Sequence, residues 1–236
     1  MSKSTTLLIA DLHLISGETE KTNLFIGFCQ QASAADQLFI LGDLFNTWLG
    51  DDLSINAYPS VISALKTLSK TTQIFITGGN RDFLLGDEFV KQTGCTILNT
   101  PYLLKTLSKN YVLIHGDELC TDDKGYQRLK RVLQNPITKF VFLHLPMKTR
   151  LKLSGQLRKK SREAQSYKSR EIMDTNQQTV DKFMQKYPDA DLIHGHTHRQ
   201  DTHKGEQYTR YVLGDWEVDR GNAIEIGEQL NYLEIR

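Results

Sequence analysis

The sequence predicts an α/β layered fold, and three observations predict it. Apolar runs of four to six residues recur along the chain, each bounded by Gly or polar residues. That length and those boundaries suit strands buried on both faces rather than helices. Segments of helical pattern lie between them at 22–34, 55–69 and 178–186, and strand alternating with helix builds layers around a sheet. The runs also end alike, in Asp, Asn or His.

TLLIADLH ends in Asp11 and His13, and the first helical segment follows. LFILGDLF ends in Gly42 and Asp43, IFITGGNRD in Gly79, Asn80, Arg81 and Asp82, and YVLIHGDE in His115, Gly116 and Asp117. After a long basic stretch and the third helical segment, DLIHGHTH ends in His196 and His198. In layered α/β folds ligands gather at the carboxyl ends of strands. Singly, each piece has a plain structural reading. Asp after a strand is a turn former or N-cap, and a lone His is a hydrogen-bonded core residue. Together, five strand ends bring Asp11, His13, Asp43, Asn80, His115, His196 and His198 to one rim. Imidazole with carboxylate suits a first-row metal such as Mn, Fe or Zn better than Ca or Mg. No cysteine joins the set, which argues against structural zinc. Seven ligands are too many for one ion and right for two that share a bridging carboxylate. In extended backbone, residues i and i+2 point to one side. Asp11 with His13, and His196 with His198, are therefore expected to converge by strand alternation. His194 shares that parity but lies deeper in its apolar run, so it is expected to support the site from the core.

The length of 236 residues fits one domain with room for an inserted subdomain. Apolar content of 39% and charged content of 24% suit a globular chain with a real core. A net charge of +1 provides no overall field for nucleic acid, and no nucleic-acid partner is expected. Cys29, Cys95 and Cys120 are scattered, so they read as free thiols in a reducing compartment. The opening MSKSTTLLIADLH lacks the long apolar stretch of a signal peptide. No apolar run is long enough to span a bilayer.

The motifs Asp11-x-His13, Gly42-Asp43, Gly79-Asn80-Arg81-Asp82, His115-Gly116-Asp117 and Gly195-His196-Thr197-His198 stand in the order found in calcineurin-like metallophosphoesterases. The chain resembles that family from Asp11 to about Asp215. The resemblance implies a four-layer α/β/β/α sandwich with a dinuclear metal centre at the strand ends. Most members carry His after the motif Asn, whereas Arg81 stands there in this chain. Arg81, LGDLFNTWLGDD, GNRDFLLG, HGDELCTDD, KSREIMDTNQ and IHGHTHR resemble a narrower group, the UDP-2,3-diacylglucosamine pyrophosphatases of lipid A biosynthesis.

That group implies cleavage of a lipid-linked nucleotide sugar to UMP and 2,3-diacylglucosamine 1-phosphate. It implies two Mn2+ per chain and a monomer at the cytoplasmic face of the bacterial inner membrane. By motif, Asp11, His13 and His198 resemble ligands of one metal and Asn80, His115 and His196 ligands of the other, with Asp43 bridging. Arg81 resembles a catalytic phosphate contact, because a phosphate leaving group needs a fixed guanidinium more than a proton donor. Asn80, Arg81, Asp123, Ser161, Gln165, Lys168 and His196 fall where the group contacts substrate. The chain departs from the group's pattern at Gln165 (commonly Asn), Asn46 (commonly acidic) and Gly78 (commonly His). Two metals about 3.5–4 Å apart acidify a shared water, so no Ser or Cys nucleophile is expected.

The segment 144–170 is unlike the rest, with nine Lys or Arg against the single acid Glu163. The apolar stretch FVFLHLPM leads into it, and Leu151, Leu153 and Leu157 continue the thread. Read alone it is a solvated basic helix. With the resemblance it is expected to be a helical lid over 125–168, its apolar side holding acyl chains and its basic side meeting an anionic membrane surface. The competing expectation is a broad-specificity phosphoesterase acting on phosphodiesters or nucleotide pyrophosphates, which would need no lipid groove.

Overall fold

The apolar runs are strands, and each is covered on both faces. The computed structural model describes residues 5–167 and 172–236. In chain order the elements are β1 (Thr6–Ile9), α1 (Glu20–Ala32), β2 (Gln37–Ile40), α2 (Asp51–Ser54), α3 (Pro59–Leu68), β3 (Gln73–Ile76), α4 (Asp87–Thr93), β4 (Thr96–Ile97), β5 (Tyr102–Lys105) and β6 (Asn110–Leu113). Then come α5 (Lys124–Leu133), α6 (Pro136–Leu143), α7 (Met147–Ser166), α8 (Gln177–Met184), β7 (Ala190–His194), β8 (Asp201–Lys204), β9 (Thr209–Val212), β10 (Gly221–Ile226) and β11 (Leu230–Ile235). The three helical segments expected from sequence correspond to α1, α3 and α8. The second starts late, at Pro59, because proline has no N–H to give and sits best in a first turn. Asn176 caps α8, its side chain accepting from the Thr179 N–H at 3.0 Å.

Two sheets form. One has the order β11-β10-β1-β2-β3-β4, the other β5-β6-β7-β9-β8. The strands that carry the candidate residues pair in parallel: β1 with β2, β2 with β3, and β6 with β7. Their carboxyl ends therefore share one rim. Alternation along each strand builds the layers. Leu7, Ile9, Leu38 and Ile40 pack in one core with Phe25 and Phe28 of α1 and Leu65 of α3. Leu8, Phe39, Tyr111, Leu113 and Ile193 point the other way and meet between the sheets. Val112, Ile114 and Leu192 pack under Val180 and Met184 of α8. Helix, sheet, sheet and helix is the four-layer order the resemblance implied.

The sequence reading found the buried strands and passed over β4, β5, β8, β10 and β11. Four of these, β4, β5, β8 and β11, are at sheet edges and carry exposed polar residues, so they lack the buried apolar run that marked the others.

Between β6 and β7 the chain leaves the sandwich as α5, α6 and α7. No residue of α5 or α6 is buried. Val132, Ile137, Phe140, Val141, Met147 and Leu151 are 48–74% exposed. The insert is nonetheless pinned. Buried Arg150 donates to the Leu49 carbonyl at 2.8 Å and forks onto the Asp52 carboxylate. Lys139 donates to the Phe83 carbonyl at 3.2 Å.

Candidate metal centre

The donors do converge, but not by strand alternation. β1 ends at Ile9 and β7 at His194, before the ligands begin. Asp11, His13, Asp43, His196 and His198 all lie in the left-handed region, with φ between 51° and 68°. That conformation is uncommon for residues with a Cβ and collects at functional sites. The expectation of extended i, i+2 pairs is thus replaced by tight loops. They are held by the continuing strand partnership: the Asp11 N–H donates to the Gly42 carbonyl at 3.1 Å, and the His13 N–H to the Asp43 carbonyl at 2.9 Å. Glycines precede the donors where a neighbouring carboxylate presses against the backbone. A Cβ on Gly79 would lie 2.2 Å from Asp43 Oδ1, and one on Gly195 2.3 Å from Asp11 Oδ2.

Asp11, His13 and His198 form one donor group, and Asp11, Asp43 and His115 another. His13 Nε2 stands 3.1 Å from His198 Nε2, and His198 Nε2 3.5 Å from Asp11 Oδ1. Asp43 Oδ2 lies between the halves, 3.7 Å from His13 Nδ1 and 3.9 Å from His115 Nε2. His115 Nε2 meets Asn80 Oδ1 at 3.2 Å, and the His196 ring sits 5.0 Å from the His115 ring. Asp11 Oδ1 and His13 Nδ1 are buried without a hydrogen-bond partner. Buried polar atoms are ordinarily satisfied, so these two, aimed into a cluster of N and O donors, fit a bound cation.

The electrostatics divide the donors: burial would lower His115, but Asp43 and Asp11 raise it to about 9, whereas His13 and His196 are held neutral. Burial pushes the Asp43 carboxyl up to about 7. Burial and the charge of Arg81 hold His13 down at about 3, and burial with His115 holds His196 near 4. Neutral imidazole is the form that binds metal. Burial would lower His198, but its contacts to Asp11 and Asp215 raise it to about 10.

Arg81 reaches out from this cluster. Its guanidinium donates to Asn46 Oδ1 at 2.7 Å while its Nε stays 3.5 Å from Asp43. Asn46, noted only as a departure, is therefore what orients Arg81. Its carbonyl accepts from Arg158 of α7 at 2.6 Å, so one residue ties the insert to the rim. Asp123 caps α5, accepting from the Tyr126 N–H at 2.9 Å. Ser161 is exposed on α7. Lys168 lies outside the described residues, as does the side chain of Gln165. At Gly78, a Cβ would come within 2.8 Å of the Phe83 backbone, so this loop is built for glycine.

Sequence reading missed several supports. Asp82 is fully buried and accepts from the N–H groups of Asp43, Gly79 and Phe45. Asp215 faces His198 Nδ1 at 3.3 Å. Tyr126 stacks on His196 and donates to Asp117 at 2.5 Å, with Lys130 beside it. Asp82 and Asp117 follow their motifs directly, which is a usable signal; Asp215 and Tyr126 carry none. His194 behaves as expected. Its Nε2 faces the Arg210 guanidinium at 3.3 Å, which can only donate, so its Nδ1–H goes to the Gly195 carbonyl at 2.8 Å. His194 is thus neutral and braces the loop that delivers His196.

The family model for calcineurin-like phosphoesterase matches residues 4–200. The chain belongs to the calcineurin-like phosphoesterase family. Within that family it is 42% identical to a protein named UDP-2,3-diacylglucosamine hydrolase from Pseudomonas syringae pv. tomato, covering 94% of this chain and 92% of that one. It is 43% identical to the protein of that name from Pseudomonas fluorescens SBW25, with the same coverage. To its counterpart in Pseudomonas putida KT2440 it is 41% identical, over 94% and 95% of the two chains. For a calcineurin-like phosphoesterase, donors of this chemistry on the strand-end rim are the expected place for divalent metal.

Proposed function

We infer that this chain hydrolyses the pyrophosphate of UDP-2,3-diacylglucosamine, releasing UMP and 2,3-diacylglucosamine 1-phosphate for lipid A biosynthesis. The observation that carries this reading is a basic, apolar insert pinned to the metal rim through Asn46, beside Arg81. The relatives' shared name over nearly the whole chain supports it.

In this reading Asp11, His13 and His198 would hold one manganese ion and Asn80, His115 and His196 a second, with Asp43 a ligand available to either. When bound, such ions supply Lewis acidity and a water acidified towards neutral pH. The chain's own groups do the rest. Arg81, fixed by Asn46, clamps the phosphate and neutralises charge gathering on it. Asp82 keeps the Asp43 loop rigid. Asn80, Asp123, Ser161, Gln165, Lys168 and His196 contribute to substrate binding. Residues 125–168 act as a lid within the single domain, and their exposed apolar side chains shelter the acyl chains. Exposed apolar side chains gathered on one insert are the mark of a lipid or partner site. Among the described residues no helix is long and apolar enough to cross a membrane. A monomer resting on the anionic inner leaflet of the inner membrane, with its basic side towards the headgroups, is the form that suits this insert.

The test is UMP release from UDP-2,3-diacylglucosamine in detergent, with and without manganese. Bis(p-nitrophenyl) phosphate serves as the comparison. Manganese-dependent UMP release at a far higher kcat/KM than the diester is expected. Equal or better turnover of the diester would favour a broad-specificity phosphoesterase.

A further inference from the structure

The insert leaves one flank of the rim uncovered. β1 lies inside its sheet, with β2 and β3 on one side and β10 and β11 on the other. The insert is anchored on the β2–β3 side, through Asn46, Leu49, Asp52 and Phe83, and on the β6–β7 side, through Lys130 and Tyr126. On the β10–β11 side a cavity of about 500 Å³ opens against His198 and Asp215. Gln200, Glu217, Arg220 and Glu234 also line it. A second cavity, of about 540 Å³ between α8 and the β8–β9 hairpin, touches none of the candidate ligands.

The chemistry of the first cavity differs from that of the insert. Its carboxylates are paired, Asp215 with His198, Glu217 with Arg220 and Glu234 with Arg236, so its charges balance and it does not draw in a second phosphate or an anionic headgroup as the basic insert does. Its lining is mostly polar and unsuited to acyl chains. Carboxylates accept from sugar hydroxyls, while a glutamine amide and a guanidinium can meet the donor and acceptors of a pyrimidine edge. Its size falls in the range of about 300–1,000 Å³ usual for small-ligand sites. The wall is fixed: Asn222 accepts from the Gly214 N–H at 2.9 Å and donates to the Asp215 carbonyl at 3.1 Å, and the Trp216 indole donates to the Asn222 carbonyl at 3.1 Å.

We propose that this polar cavity is the nucleoside subsite, holding the ribose and base on the flank of the metal rim away from the insert. The proposal rests on the pyrophosphate-hydrolase reading for its direction, since a substrate cleaved at the rim must send its two halves to opposite sides.

The experiment uses the manganese-loaded full chain with bis(p-nitrophenyl) phosphate as reporter and measures Ki for UMP and for inorganic phosphate. Phosphate reaches only the metal rim, whereas UMP also reaches the cavity. Gln200→Trp and Arg220→Ala, both at exposed or rim positions, are expected to raise Ki for UMP about tenfold, the scale of a lost charged hydrogen bond, and to leave Ki for phosphate in place. The proposal is overturned if UMP binds wild type no better than phosphate does, if neither variant moves the UMP constant, or if both constants move together. Failure to cleave UDP-2,3-diacylglucosamine would sink the broader reading separately, because this readout never uses that substrate.

Discussion

The strand-end rim and the α5–α7 insert sit side by side and are held in opposite ways. At the rim Asp11, Asp43, Asp82 and His115 are buried, Asp82 alone satisfies three backbone N–H groups, and five donors are locked in left-handed turns. The insert has no buried residue in α5 or α6 and is secured by a few side chains, chiefly Lys130, Lys139, Arg150 and Arg158. A rim that must position charge pays in strain and tight packing. The insert, which on the proposed reading admits two acyl chains, keeps its apolar side chains uncovered instead. A rigid rim and an open insert are thus separated in space and joined at Asn46.

The predictions test that division, from the largest effect to the smallest. Asp43→Asn and His196→Ala should lower activity by more than roughly 100-fold, the upper end for loss of a mere supporting partner. Metal analysis should find less manganese in both. Arg81→Ala should cut kcat/KM by about 100-fold, as for removal of a charge-stabilising donor, with manganese content unchanged. Loss of metal in that variant would move Arg81 from the substrate to the ligand shell.

Asp82→Ala should reduce activity by about 10- to 100-fold. It should also lower the melting temperature, since three buried N–H groups lose their acceptor at about 1–3 kcal/mol each. Paired substitutions in the insert, Phe140→Ser with Leu151→Ser, should do the reverse. Melting should barely shift, because exposed positions usually stay within about 0.5 kcal/mol, while KM for the two-chain substrate rises relative to a short-chain analogue. A large fall in stability would show that these side chains are core rather than binding surface.

The smallest effect concerns the anchor itself. The Arg150 hydrogen bond holds the Asp52 carboxyl below its usual range. A carboxyl depressed by folding stabilises the native state above its unfolded value, about 4, and loses that contribution as the pH falls through the folded one. Wild type should therefore exceed Arg150→Ala in stability by about 1 kcal/mol near pH 7. The gap should narrow below pH ~4, as read by chemical denaturation at each pH.

Much of this molecule was legible in one dimension. Which side chains gather at the rim, and the layering of helix and sheet around them, follow from residue type and from the period of the apolar pattern, both local properties. His194 could be separated from His196 and His198 by its depth in an apolar run alone. What the tertiary structure decided is how the donors meet. Left-handed loops at Asp11, His13, Asp43, His196 and His198 replace the extended pairs that alternation suggests, because the strands stop short and the loops are pinned to one another. Asp215 against His198, Asn46 between Arg81 and Arg158, and Tyr126 over His196 join positions far apart in sequence. Nothing in the residues themselves announces those contacts, since they exist only once two sheets and an insert have packed together.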